Sequence, residues 1–423
     1  MKLTEDDIYR MSTQYKHWSF TPEQLAAQRL KTNIQASERV KANVARLRAE
    51  RARQPENASA SESERNGAGG ESGGNTPIPG DKEVNCLTVA EEMKLVDVFC
   101  ATALELGTFC KFPIEVTATG IQFLRRFYLY NSPMTYEGQN ISRTAMFIAS
   151  KTEGHHTSSE SYAARFPKTT AEQILAPEYL VVQALRFNFE VRHPFRGLKG
   201  GHLEMVEMAR GNYTPPPNSD RSAGDIQREM QKLPRPNAAP STVKMAPSEL
   251  EKRITEAYSF SSHILKTSAL LTDAYFLYTP SQIWMAAHFL ADEPLTRFYL
   301  STKLPASHPQ YEKVFSTIKD CANMLSSHRS FTSANTSKEE KEARDAKDKA
   351  EVSKLVKKLR HCRDPDKIDL VKLNQAQKRD AVQDGGLEEN KAKRRKLGRE
   401  QYEKAADEFW GPELNKNGGN SGA

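Results

Sequence analysis

Cysteine is scarce in this chain and its spacing suggests no pairing: Cys86, Cys100, Cys110, Cys321 and Cys362 are odd in number and contain no Cys-x-x-Cys. A disulfide framework and a cysteine zinc site are therefore not expected, and a reduced intracellular compartment fits best. Long apolar runs are also missing. No stretch approaches the roughly 18 residues that a membrane-spanning helix needs, and the N-terminal Met1-Lys-Leu-Thr-Glu-Asp-Asp7 lacks the apolar core of a signal peptide. A soluble, non-secreted protein without membrane contact is expected. Catalytic signatures are absent in the same way. There is no phosphate-cradling glycine loop, no Gly-x-Ser-x-Gly elbow and no His-Glu-x-x-His helix; Gly67 to Gly74 is flanked by polar residues, and His155-His156 are adjacent rather than one turn apart. No active site, cofactor or metal is expected. Nor is there a dense field of one sign: 61 basic against 54 acidic residues give +7, too mild to name a partner. No direct, specific nucleic-acid binding is expected.

What is present is a long, charged chain with helical punctuation. With 423 residues, 38% hydrophobic and 27% charged, it can bury a sizeable core while leaving much of its length solvated. Residues 1–54 read as one helical arm, in which Thr21-Pro-Glu-Gln24 caps a sparse apolar stripe. Residues 55–82, rich in Ser, Gly, Asn and Glu, offer little to bury and read as a disordered linker.

From residue 83 to 190 the apolar segments have helix length and no sustained two-residue alternation. Thr88-Val-Ala-Glu91 opens a first helix to about Leu106, Pro113 a second to about Asn131, and a third runs from about Tyr136 to Lys151. A short fourth follows Ser158. Thr170-Ala-Glu-Gln173 caps a fifth carrying Ile174, Leu175, Leu180, Val181, Val182 and Leu185, with Pro177 inside it to bend the axis. A second bundle is expected over 191–330, interrupted at about 214–247 by a proline-rich insertion in which regular helix is precluded. Ser248-Glu-Leu-Glu251 caps a long helix into Tyr278; others follow from Pro280 to Ala291, around Leu295 to Leu300, and from Pro309 to Ser327. Small residues, Ala145 and Ala149 in one half and Ala286, Ala287 and Ala291 in the other, allow close approach to a central helix in each. Ser337-Lys-Glu-Glu340 starts a helix over 331–362 whose Val352, Leu355, Val356 and Leu359 face the bundles. From residue 363 to 423 the chain reads as mostly disordered, with an aromatic-acidic end at Asp407-Glu-Phe-Trp410. The expected fold is all-α, with tandem five-helix bundles, flanking helices at both ends and long disordered segments.

One junction is more specific. In Leu271-Thr-Asp-Ala-Tyr-Phe-Leu-Tyr-Thr-Pro-Ser-Gln-Ile283, Thr279 can cap a new helix, Pro280 suits its first position and Gln282 can return a bond to the cap. This segment resembles the cyclin H family. So do Arg125-Arg-Phe-Tyr-Leu-Tyr-Asn-Ser132, Phe147-Ile-Ala-Ser-Lys151, Leu185-Arg-Phe-Asn-Phe189 and Tyr15-Lys-His-Trp-Ser-Phe20, in that family's order and register. The resemblance covers the arm and both bundles, which become two cyclin boxes, and is similar to the fungal members.

The resemblance implies a regulatory subunit without catalysis of its own, bound to cyclin-dependent kinase 7 and to a RING-finger assembly subunit within transcription factor IIH, in the nucleus. It implies support for phosphorylation of RNA polymerase II repeats and of other cyclin-dependent kinases. The family's kinase-contacting pair falls on Lys151 and Glu178, which would donate to and accept from the kinase main chain, with Ile148, Thr152, Val182 and Phe187 as the rim. Bonds to an ionised group in a partly dry interface are stronger than neutral ones, which suits charges to that task. Without the resemblance, Lys151 would read as a helix-end charge, Glu178 as a solvated acid, and Ile148, Val182 and Phe187 equally as core. The basic run Lys391, Lys393, Arg394, Arg395 and Lys396 reads first as a nuclear import signal, and otherwise as a salt-dependent nucleic-acid contact or a solubilising tail.

Three departures from the family pattern bear on the fold. Arg125 stands where many cyclins have Asp, so Glu91 or Glu92 is expected to hold it instead; Glu153 is followed by Gly154 rather than by a second acid; and Pro177 disturbs the aim of Glu178. Two rival functions remain: a cyclin-fold adaptor resembling basal factor IIB, which should carry its basic residues on the bundles, and a transcription-elongation cyclin, against which the Trp18 and Leu271 segments argue.

Overall fold

The computed structural model describes residues 5–52, 84–216, 221–235, 244–331, 337–367 and 370–372, and every regular element among them is helical. The linker expected at 55–82, the basic run Lys391, Lys393, Arg394, Arg395 and Lys396, and the Phe409-Trp410 end lie outside the described residues. Two compact units are formed, Met1–Ile368 and Asp369–Ala423. Of the second, only a helical turn at residues 370–372 is described.

The N-terminal arm is three helices rather than one: α1 (Glu5–Met11), α2 (Thr13–Trp18) and α3 (Pro22–Ala52). Ser12 stops the first and caps the second, its hydroxyl accepting from the Tyr15 amide. Thr21 and Gln24 then exchange side-chain bonds at the start of α3. The first bundle follows with α4 (Val89–Phe109), α5 (Ile114–Tyr130), α6 (Gly138–Thr152), α7 (Ser159–Ala163), α8 (Ala171–Leu175) and α9 (Glu178–Ala184). Its centre is α5, buried without interruption from Val116 to Leu129. Against it lies α6, whose Ala145 and Ala149 are fully buried.

The second bundle comprises α10 (Phe195–Arg210), α11 (Ala223–Gln231), α12 (Pro247–Lys266), α13 (Ser268–Leu271), α14 (Ala274–Leu277), α15 (Pro280–Ala291), α16 (Glu293–Lys303) and α17 (Tyr311–Ser327). The proline-rich insertion does contain regular helix. Ser222 and Asp225 form a capping box for α11, which buries Ile226 and Met230; the prolines lie outside it, so they bound the helix instead of preventing it. The long helix expected to run into Tyr278 begins at Pro247, without a Ser248 cap, and breaks at Thr267 and Thr272 into α12, α13 and α14. At Thr279 the expected junction forms, its side chain accepting from the Gln282 amide and its amide donating to Gln282.

The long helix α18 (Lys338–His361) carries the Ser337/Glu340 capping box. Leu355 and Leu359 are buried against Ala36, Val40 and Val44 of α3 and Leu87 and Leu95 of the first bundle, and Lys358 pairs with Glu91 at 2.7 Å. Beyond it the chain is still folded where disorder was expected. Asp364, with a fully buried carboxylate, accepts from Asn43 at 2.9 Å, while its amide donates to the Met134 carbonyl at 2.8 Å.

Candidate functional site

Lys151 occupies the last turn of α6, where a cation complements the helix dipole. Pro177 does more than bend the fifth helix. It separates α8 from α9, so that Glu178 becomes the first residue of α9 and its carboxylate sits at a helix N-terminus. Thr144 of α6 fixes this break by donating to the Ile174 carbonyl at 2.7 Å. One helix end and one helix start are thereby brought together, and the Lys151 ammonium donates directly to the Glu178 carboxylate. The ammonium also lies 4.6 Å from the ring centroid of Phe147, one turn earlier.

The two side chains remain 39% and 27% exposed, so neither is sealed beneath the protein. An ammonium has three donors and a carboxylate about four acceptor sites. Bonding to each other uses one of each and leaves the remainder facing solvent. The arrangement can present a donor and an acceptor side by side to another chain's backbone, each held in place by the other.

The rim differs from expectation. Ile148 is 2% exposed and belongs to the bundle core, so it is not part of the candidate surface. Thr152 is exposed, although its hydroxyl is turned back onto the Ala149 carbonyl at 3.1 Å. Val182 is half-buried. Phe187 is 59% exposed. Sequence reasoning missed Tyr179, the most exposed large apolar residue here at 69%; Leu175, which it gave only as an apolar residue of the fifth helix, is 40% exposed. The adjacency of Tyr179 to Glu178 was the available signal.

Arg125 is not held by Glu91 or Glu92. Glu91 is engaged by Lys358, and Glu92 accepts from Ser132. Arg125 instead reaches into the second bundle, donating to the Leu271 carbonyl at 3.0 Å and to Asp273 at 2.5 Å. Arg29 of α3 shares that carboxylate through two bonds of 2.8 and 2.6 Å. Burial opposes the charge on Asp273, but the two guanidiniums hold its carboxyl well below the usual range. Nearby, Trp18 is buried with Leu25, Leu129 and Phe276, the Arg126 guanidinium lies 4.9 Å from its ring centroid, and the Phe20 amide donates to the Phe276 carbonyl at 2.8 Å. The Trp18 and Leu271 segments, far apart in sequence, thus touch.

The single acid after Lys151 is exposed but engaged by the first bundle. Glu153 accepts from the Thr119 hydroxyl at 2.7 Å; that hydroxyl is 2.9 Å from His193 Nε2, and His193 Nδ1 is 3.0 Å from the Tyr275 hydroxyl. Burial, with the nearby Arg126 charge, lowers the His193 pKa to about 3, so the imidazole is neutral. The two histidines singled out in the sequence are ordinary: His155 packs edge-on against Phe112 at 5.5 Å, and His156 is exposed. All five cysteines are free thiols, and no helix among the described residues is long and apolar enough to cross a membrane.

Comparison with known proteins gives the family. The Cyclin, N-terminal domain matches residues 99–190 and the Cyclin C-terminal domain residues 193–326. Cyclin CCL1 of Saccharomyces cerevisiae is 29% identical over 313 residues, 74% of this chain but only 65% of its own length. Cyclin mcs2 of Schizosaccharomyces pombe is 27% identical over 314 residues, covering 74% of this chain and 79% of that one. In the CAK complex of Chaetomium thermophilum bound to ATP-gamma-S, one chain is 32% identical and superposes with a TM-score of 0.63, covering 90% of this chain and 96% of that one. With both domains matched in order and the arm, junction and second bundle joined as described, the chain belongs to the cyclin family, among the cyclin H proteins.

Proposed function

We propose that this chain is the regulatory subunit of a cyclin-dependent kinase of the type of cyclin-dependent kinase 7, binding it and holding it in its active form. The observation that carries this reading is the Lys151–Glu178 pair, part-exposed at the meeting of α6 and α9, with Thr152, Tyr179 and Phe187 exposed and Val182 half-buried on the same two helix ends and the turn that follows. Such a pair grips a helix by its main chain, and its apolar surroundings exclude competing water. A cyclin of this kind acts by binding the active arrangement more tightly than the inactive one, which brings a kinase glutamate to its ATP-contacting lysine. The subunit contributes no catalytic group. Likeness to a chain of the CAK complex, which binds ATP-gamma-S, supports a kinase partner; a RING-finger assembly subunit is a further part of the proposal. Membership of transcription factor IIH, action on RNA polymerase II repeats and on other cyclin-dependent kinases, and import through the run Lys391 to Lys396 complete the proposal.

The test is co-purification with a candidate kinase and assay of its activity. Lys151→Ala and Glu178→Ala are each expected to weaken the complex by about 1–3 kcal/mol while the isolated subunit keeps its helical content. Unchanged binding and activation in both variants would move the gripping site elsewhere.

A further inference from the structure

Between the N-terminal arm and the first bundle runs an open groove of about 470 Å³, lined by Lys16, Phe20, Gln28, Lys31, Tyr130 and Arg186 among others. Among the described residues, no carboxylate lines it. The three cations come from three separate elements, α2, α3 and the turn after α9, and all are exposed. None of them has an ion-pair partner among the described residues. Unneutralised charge of one sign, focused into a concave surface with low-dielectric walls, attracts the opposite sign.

The turn that supplies Arg186 is unusual. Arg186 and Phe187 both adopt left-handed backbone angles, with φ of 54° and 57°, where a helix end ordinarily uses one glycine. Two bulky residues in this conformation are costly, and such strain persists only where the surroundings fix it. Here the Arg186 guanidinium rests 4.7 Å from the ring centroid of Tyr130 and 5.9 Å from that of Trp18, while the Phe187 amide closes onto the Val182 carbonyl at 3.1 Å. The turn thus sets Arg186 at the groove and leaves its neighbour Phe187 exposed.

We infer that this groove docks an acidic peptide segment of a partner protein, its carboxylates meeting Lys16, Lys31 and Arg186 and an aromatic or aliphatic side chain lying against Phe20 and Tyr130. Cations on three elements suit charges spread along an extended chain better than one compact dianion. The groove is a few residues long, too short for the continuous basic track that nucleic acid requires. Its charge is a property of this chain and is independent of the kinase assignment, so failure of either leaves the other standing.

The probe is a fluorescein-labelled octapeptide, Glu-Asp-Phe-Glu-Asp-Tyr-Glu-Glu, titrated with the full chain by fluorescence anisotropy at low and at physiological salt. Binding should be saturable, should weaken with salt, and should fall roughly tenfold or more in Lys31→Gln/Arg186→Gln. Lys31→Gln alone, an exposed helix position that cannot disturb the core, should give a smaller loss in the same direction. Lys319→Gln, on α17 and outside the groove lining, should bind as wild type. Equal binding by the groove variants would overturn the inference, as would equal binding of a Gln/Asn peptide of the same pattern. So would binding of a phosphoserine peptide or a single-stranded oligonucleotide without binding of the carboxylate probe.

Discussion

Arg125 and Asp273, 148 residues apart in sequence, meet at 2.5 Å where the first bundle touches the second. Arg125 is almost completely buried, and Arg29 of the arm closes the same carboxylate from the other side. One acid therefore ties together three parts of the chain, and the basic residue that departs from the common cyclin pattern acquires its partner from the other box.

Asp273→Asn should accordingly destabilise the folded chain by on the order of 3 kcal/mol at pH 7, since it leaves two guanidiniums without their anion. Because the folded carboxyl is held below its unfolded value, its contribution is complete above about pH 4 and is lost as the pH falls further. Urea unfolding of wild type and variant at several pH values checks this. The gap between the two curves should narrow on acidification, and a gap that is absent at pH 7 would remove Asp273 from its role.

Histidines act on stability at a higher pH. Burial lowers His193 to about 3 and His288 to about 4, each hydrogen-bonded and neutral in the fold. The unfolded chain takes up protons below about pH 6.5 while these two rings do not, so stability is full above that value and declines beneath it by about 1.4 kcal/mol per pH unit for each ring. Urea midpoints should fall between pH 7 and pH 5. His193→Gln should make that fall shallower, and an identical slope in the variant would refute the assignment.

The Lys151–Glu178 pair should matter little to the isolated chain. Both side chains are part-exposed, so solvent screening limits their coupling to under about 1 kcal/mol. A double-mutant cycle on unfolding, using Lys151→Ala, Glu178→Ala and both together, measures it. A coupling well above that would make the pair a strut of the bundle rather than a grip for a partner.

Much of the fold was legible because helix starts are chemical. The capping boxes at Thr88, Thr170, Thr279 and Ser337 all form, since a hydroxyl and an acid or amide three residues apart satisfy amides the helix cannot. Helix breaks were less legible. The arm interrupts at Ser12 and the long helix at Thr267 and Thr272, and no Gly or Pro marks any of these breaks. In the candidate site Lys151 and Glu178 were singled out by the resemblance, and the burial of Ile148 was not foreseen, because helical spacing places a residue on a face without saying whether that face is covered.

The insertion gives the last test. Prolines hid its order from the sequence, but Arg253 of α12 binds Asp292 through two bonds of 2.6 and 2.8 Å and also donates to the carbonyls of Leu233 and Pro234 at 3.2 and 2.7 Å. Both members of the ion pair are almost fully buried. Arg253→Met should strand the Asp292 carboxylate and release the chain at Leu233–Pro234, costing about 3–5 kcal/mol and opening the insertion to limited proteolysis. Arg253→Met/Asp292→Asn removes the stranded charge and should recover part of the stability but none of the protection, because the carbonyls still lack their donor. Cleavage in the insertion at the wild-type rate in both variants would show that α11 and its neighbours hold it without Arg253.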